Sequence, residues 1–108
     1  MENQVCPPIV LVTDFGHGDA FVGILKAVIL SINPKALIVD LSHGVPPGDI
    51  PYGSFVLSSG APFFPKGSIF CVVVDPGVGT NRKPILVTTQ DHVFIGPDNG
   101  VLYRAAQR

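Results

Sequence analysis

Phe-Cys-Val-Val-Val-Asp-Pro-Gly-Val-Gly-Thr-Asn-Arg, residues 70–82, is the stretch that decides the fold. Apolar residues run up to Val74, and Asp75 and Pro76 stop the run. A continuous apolar run bounded by turn residues is the pattern of a strand buried on both faces. Proline has no N–H to give to a ladder, so the strand is expected to end at Asp75. Gly77 and Gly79 then open a loop that ends in Arg82. A carboxylate is thus held at the C-terminal mouth of a buried strand, with an arginine farther along the same loop. In open α/β sheets that mouth is where ligands bind.

Upstream, residues 9–13 are apolar and β-branched and predict a first strand. A polar turn, Asp14-Phe15-Gly16-His17-Gly18-Asp19, follows. Phe21, Ile24, Leu25, Val28, Ile29 and Ile32 then recur at helical spacing, with a wide apolar face. Asp19 is placed to act as N-cap or first-turn acid of that helix. Asn33-Pro34 ends it, because the residue before proline avoids the α region. Residues 36–41 predict a second strand, and Asp49 is expected to cap a second helix through Tyr52, Phe55, Val56 and Ser59. The third strand is expected over residues 68–75. Residues 85–89 and 93–96 predict a hairpin around Gln90-Asp91-His92, and Pro97-Asp98-Asn99-Gly100 leads into a last helix.

The order is β-α-β-α-β, a hairpin, then α. Strands alternating with helices define an α/β class with right-handed crossovers and a mostly parallel sheet. In such a sheet the loops carrying Asp14, His43, Asp75 and Asp98-Asn99 share one edge. Topology therefore predicts a polar, acidic pocket rimmed by glycines.

Composition fits one small domain. The chain has 108 residues, 46% hydrophobic and only 14% charged, which suits a buried α/β core and excludes a disordered chain. Net charge is −1 and the basic residues are scattered, so no patch points to nucleic acid. No run approaches the ~18 apolar residues of a membrane span. The first residues lack the basic start and apolar core of a signal peptide. Cys6 and Cys71 form no metal pair, and a reduced, cytoplasmic setting is the plain expectation. Residues 99–108 resemble a helix that stops after its first turns, so a truncated chain is expected.

Each candidate residue has a functional and a structural reading. Asp14 could take two hydrogen bonds from vicinal hydroxyls such as those of ribose, or it could serve an Asx turn or cap. Asp75 and Arg82 could form an ion pair that positions a water, or one that only braces the loop. Gly77-Val78-Gly79 allows close backbone approach but lacks the third glycine of a dinucleotide loop. His17, His43 and His92 show no metal spacing, and of the three His43 sits where it could line the pocket. Phe63 and Phe64 suit either the core or an oligomer surface. No Gly-x-Ser-x-Gly elbow is present, which disfavours a serine hydrolase.

Five motifs occur in one order: Thr-Asp-Phe-Gly from Thr13, Asp-Leu-Ser-His-Gly from Asp40 with Pro46-Pro47, Phe-Pro-Lys-Gly from Phe64, Val-Asp-Pro-Gly-Val-Gly-Thr from Val74 with Arg82, and Ile-Gly-Pro-Asp-Asn-Gly from Ile95. Together they resemble the S-adenosyl-L-methionine (SAM) hydroxide adenosyltransferase family, or SAM hydrolases, relatives of the fluorinase and chlorinase. The resemblance implies a Rossmann-like N-terminal domain with helices on both faces, followed by a β-barrel-like C-terminal domain that this chain lacks. It implies cleavage of SAM to adenosine and methionine by water or hydroxide at the ribose C5′, without metal or cofactor. It also implies a homotrimer whose sites lie between subunits.

By motif, Asp14 would hold the ribose hydroxyls, and Asp75 and Arg82 would be two members of an Asp-Arg-His triad that positions the water. The triad histidine would lie beyond Arg108, so the 108-residue chain alone is expected to lack useful activity. Phe15, Asp19, Gly77, Val78 and Asn99 are the further candidates for substrate binding. Halide-using relatives lack an acid at the position of Asp75, because a carboxylate would repel the anionic nucleophile. Asp75 therefore resembles the hydrolase branch. Gly48 departs from the family, whose members commonly place an aromatic residue there. A module that binds adenosine or oligomerises without chemistry is the alternative reading. An NAD-type enzyme ranks last, because Asp14 stands where a pyrophosphate would sit.

Overall fold

The computed structural model describes residues 6–76 and 83–107. Five strands form one sheet: β1 (Ile9–Thr13), β2 (Ile38–Ser42), β3 (Ile69–Val73), β4 (Pro84–Thr88) and β5 (Val93–Pro97). Their spatial order is β2-β1-β3-β5-β4. β1 runs parallel to both β2 and β3, and β3 runs parallel to β5. β4 and β5 pair antiparallel, as the hairpin reading expects. The helices are α1 (Phe21–Ile32), α2 (Ile50–Gly60) and the single turn α3 (Tyr103–Ala106), with a 3-10 turn at Ala61–Phe63.

Strand register explains the core. Val10 lies opposite Phe70, and Phe70 opposite Phe94, so all three side chains point to one face. Val12 and Val72 join them on that face. Leu57 and Ala61, together with Leu102 and Ala105, cover these residues from the α2 and α3 side. Phe70 stacks on Phe94 at 5.2 Å between ring centroids, and Phe64 meets Phe70 edge-on. α2 begins where Asp49 Oδ1 accepts the Tyr52 N–H at 3.1 Å, so the predicted cap is present.

α1 lies on the opposite face. Val39 and Leu41 pack toward the α2 core, so Asp40 between them points the other way. There Lys26 of α1 donates to Asp40 Oδ2 at 2.7 Å. The chain thus steps from β1 to β2 in one direction and from β2 to β3 in the other, which places a topological switch point between β1 and β3.

The structure corrects several expectations. β3 ends at Val73, not Asp75, and β2 is shifted to Ile38–Ser42. β3 is buried on one face only: Phe70 and Val72 are enclosed, while Ile69, Cys71 and Val73 are half-buried. A continuous apolar run does not distinguish these cases. α1 carries its apolar stripe, yet none of its residues is buried, and Phe21, Ile24 and Val28 are each more than half exposed. Asp19 does not cap α1. Ala20 occupies the N-cap with helical backbone angles and no side-chain bond, and Asp19 Oδ1 reaches only the Ala20 N–H at 3.3 Å.

Among the described residues, no helix is long and apolar enough to cross a membrane, and no cluster of His, Cys, Asp or Glu could hold a metal ion. Cys6 and Cys71 are free thiols, and burial pushes Cys71 above the ordinary thiol range.

Candidate active site

The C-terminal ends of β1 and β3 frame an open cleft of about 600 Å³, lined by Asp14, Phe15, Phe21, Pro47, Gly48, Asp75 and Pro76. It lies at the switch point, where α/β sheets bind ligands, and its size suits a nucleoside-sized molecule. Two carboxylates face a mainly apolar wall. A smaller cavity near Lys66, Asp91 and His92 lies at the opposite end of the sheet, away from both acids.

Local hydrogen bonds set the position of Asp14. Its backbone N–H donates to Val73 O at 3.1 Å, which ties the turn after β1 to the last residue of β3. Its Oδ2 accepts the Gly48 N–H at 2.8 Å. One carboxylate oxygen therefore organises the loop after β2, while the Asp14 residue lines the cleft. The adjacent Phe15 ring leans on Phe21, the first residue of α1, at 5.9 Å between centroids.

Gly48 closes the rim. Its φ is +71°, a region that side chains disfavour, and a Cβ there would lie 2.8 Å from Pro76 Cβ and 3.0 Å from Pro76 Cα. The loop after β2 and the loop after β3 can meet only because no side chain separates them. The Gly48–Pro76 contact thus forms this side of the cleft.

The predicted residues divide into three groups. Asp14, Phe15 and Asp75 line one cleft. Asp19 and Asn99 do not line it. Asp19 is exposed at the head of α1. Asn99 is half-buried; its Nδ2 donates to Val74 O at 2.8 Å and its Oδ1 accepts the Val101 N–H at 3.0 Å, so it braces the end of β3 from behind. Gly77, Val78 and Arg82 lie outside the described residues, and so does the Asp75–Arg82 pair. His43 does not line the cleft either. It is fully buried, between Thr13 and Asp40. Sequence reasoning missed Phe21, Pro47 and Pro76 as lining residues. The adjacent prolines at 46–47 and the Asp75-Pro76 step were the available signals, since each marks a rigid strand exit.

Asp40 also accepts the Lys26 ammonium on its other oxygen. Burial pushes its carboxyl upward, but the hydrogen bonds from Lys26 and His43 and the Lys26 charge outweigh that and hold it below the ordinary carboxylate range.

Comparison with known proteins bears on the fold and the family. Residues 9–108 match the family model described as the SAM hydroxide adenosyltransferase N-terminal domain. The (R)-S-adenosyl-L-methionine hydrolase of Salinispora tropica is 41% identical over 100 residues, covering 93% of this chain and 38% of that protein. The protein of the same name from Methanocaldococcus jannaschii is 38% identical over 113 residues, covering all of this chain and 43% of its own length. A fluorinase from an Actinoplanes species is 26% identical and covers 40% of its own length. A crystal structure of an uncharacterized conserved protein from Thermotoga maritima superposes with a TM-score of 0.86 at 45% identity, over 92% of this chain and 38% of that one. The chain thus spans about two-fifths of the length of its relatives. With the family model covering nearly every residue from β1 onward, the chain belongs to the SAM hydroxide adenosyltransferase family and corresponds to its N-terminal domain.

Proposed function

We propose that this domain supplies the ribose-binding and water-positioning half of a SAM hydrolase. The observation that carries the reading is the joint placement of Asp14 and Asp75 in one cleft at the switch point. Asp14 Oδ1 would accept from the ribose hydroxyls, and Phe15 and Phe21 would supply apolar contact. A cationic sulfonium suits a cleft with two carboxylates. Water oxygen forms a bond to C5′ while the C5′–S bond breaks, and the electron pair stays on sulfur. Methionine leaves as a neutral thioether, so no general acid is required at the leaving group. The proton lost by water completes the balance: SAM and water give adenosine, methionine and a proton.

Asp75, with Arg82 and a histidine from the remainder of a longer chain, would hold that water in line with C5′. SAM is the substrate, and the chemistry calls for no cofactor or metal. The greater identity to hydrolases than to a fluorinase supports the hydrolase branch. Assembly as a homotrimer and a cytoplasmic location belong to the same proposal and rest on the family resemblance.

The test has two parts. Adenosine titrated into the chain should bind, and Asp14→Ala should weaken binding by about tenfold or more, the scale of a lost charge-assisted hydrogen bond. In a version extended through the triad histidine, Asp75→Ala should remove most adenosine release from SAM, as followed by chromatography. Adenosine binding with turnover unaffected by Asp75→Ala would favour a binding module without chemistry.

A further inference from the structure

A second group of polar residues lies beneath the cleft and belongs to none of the roles above. His43 and Thr13 are both fully buried. Thr13 Oγ1 lies 2.7 Å from His43 Nδ1, and His43 Nε2 lies 2.7 Å from Asp40 Oδ1. The Phe15 N–H donates to Thr13 Oγ1 at 3.2 Å, and the Gly16 N–H donates to the His43 backbone oxygen at 2.8 Å. Two segments far apart in sequence, residues 13–16 and residues 40–43, thus meet at the turn that carries Asp14 and Phe15.

The hydrogen-bond inventory allows one direction through this chain. An ionised carboxylate only accepts, so His43 Nε2 carries a proton and donates to Asp40. Thr13 Oγ1 already accepts from Phe15. If Nδ1 also carried a proton, the Thr13 hydroxyl hydrogen would lose its partner in a site closed to water, which is costly. A bare Nδ1 accepts that hydrogen and satisfies every group. Charge gives the same answer. The partly exposed Lys26 already balances Asp40, and an imidazolium at His43 would add a buried cation beyond that pair. The titratable or charged groups facing His43 among the described residues are Asp40, with Lys26 behind it, and His17, whose ring meets His43 edge-on at 5.2 Å.

We infer that His43 is a positioning residue: as the neutral Nε2–H tautomer it fixes the Thr13 hydroxyl, which holds the Phe15 amide and so the Asp14–Phe15 turn, in register with a bound ribose. Asp40 sets the tautomer, and Lys26 holds Asp40. The inference rests on the functional reading above only for the identity of the ligand.

Ring-nitrogen NMR of the ligand-free chain at neutral pH should show protonated Nε2 and bare Nδ1 for His43. The Phe15 amide resonance should move in Thr13→Val, which removes the hydroxyl, and stay in place in Thr13→Ser, which keeps it. Adenosine affinity should fall about tenfold in Thr13→Val and about twofold or less in Thr13→Ser. An Nδ1–H tautomer, or a Thr13→Val protein with an unmoved Phe15 amide, would overturn the inference. Should Thr13→Val fail to fold, the tautomer in the parent chain and the Thr13→Ser amide decide it. A parent chain that shows the tautomer but binds no adenosine would count against the functional reading and leave the relay standing.

Discussion

At the scale of single residues, Gly48 carries the most constraint per atom. It meets two demands at once: a positive φ and room for Pro76. Alanine would add the steric cost of a left-handed backbone, and its methyl group would press on a proline ring that cannot rotate away. Gly48→Ala should therefore destabilise the chain by about 1–3 kcal/mol, measured by urea unfolding. The same substitution pushes apart the loops after β2 and β3, so the Asp14 carboxylate loses its hold on the position-48 amide. A glycine-specific loss at this position was not legible in the sequence. The Pro-Pro-Gly-Asp run announces a turn, but Pro76 lies far along the chain and only the fold brings it to Gly48.

At the scale of elements, periodicity and turn residues carried most of the information. α2 shows this most directly, because Asp49 was expected to cap it and does. Asp49→Ala should cost about 1 kcal/mol, readable as a lower urea midpoint with an unchanged slope. Failure of the same reasoning at Asp19 is instructive. Both acids precede an apolar helical stripe, but Ala20 continues the helical backbone into α1, while Asp49 has ψ near +86° and turns its carboxylate onto the first turn. Local dihedrals, not composition, separate the two. The strands of the parallel sheet were legible as apolar runs. Which of their faces would be enclosed was not, because the run at Ile69–Val73 looks alike from both sides. The cleft followed from topology, since parallel strands deliver Asp14 and Asp75 to one edge. The relay beneath it did not follow. The Asp-Leu-Ser-His spacing hints at it, but Thr13 and Lys26 come from other elements.

At the scale of the whole molecule, the two faces of the sheet are held by different forces. The α2 and α3 side is an apolar core with fully enclosed side chains. Among the described residues the α1 side has no buried helix residue, and the Lys26–Asp40 bond, which continues into His43, ties α1 to the sheet. This asymmetry gives stability a dependence on acid. Asp40 titrates below its ordinary value of 3.8 in the folded chain, so the unfolded chain binds its proton first as pH falls. The stabilisation from this group is fully present above the unfolded pKa and is lost as pH drops through the lower folded one. Asp40 is more than a third exposed, so solvent screens the charge pair and the effect is modest. Asp40→Asn should lower Tm at pH 7, and the gap to the parent chain should hold above the ordinary value of 3.8 and narrow as pH falls from there through the lower folded one. Thermal melts of both proteins across that range, with Asp49→Ala as a control for general acid sensitivity, provide the check. A gap that stays constant from pH 7 to pH 3 would mean that the Asp40 charge contributes nothing to holding α1 on the sheet.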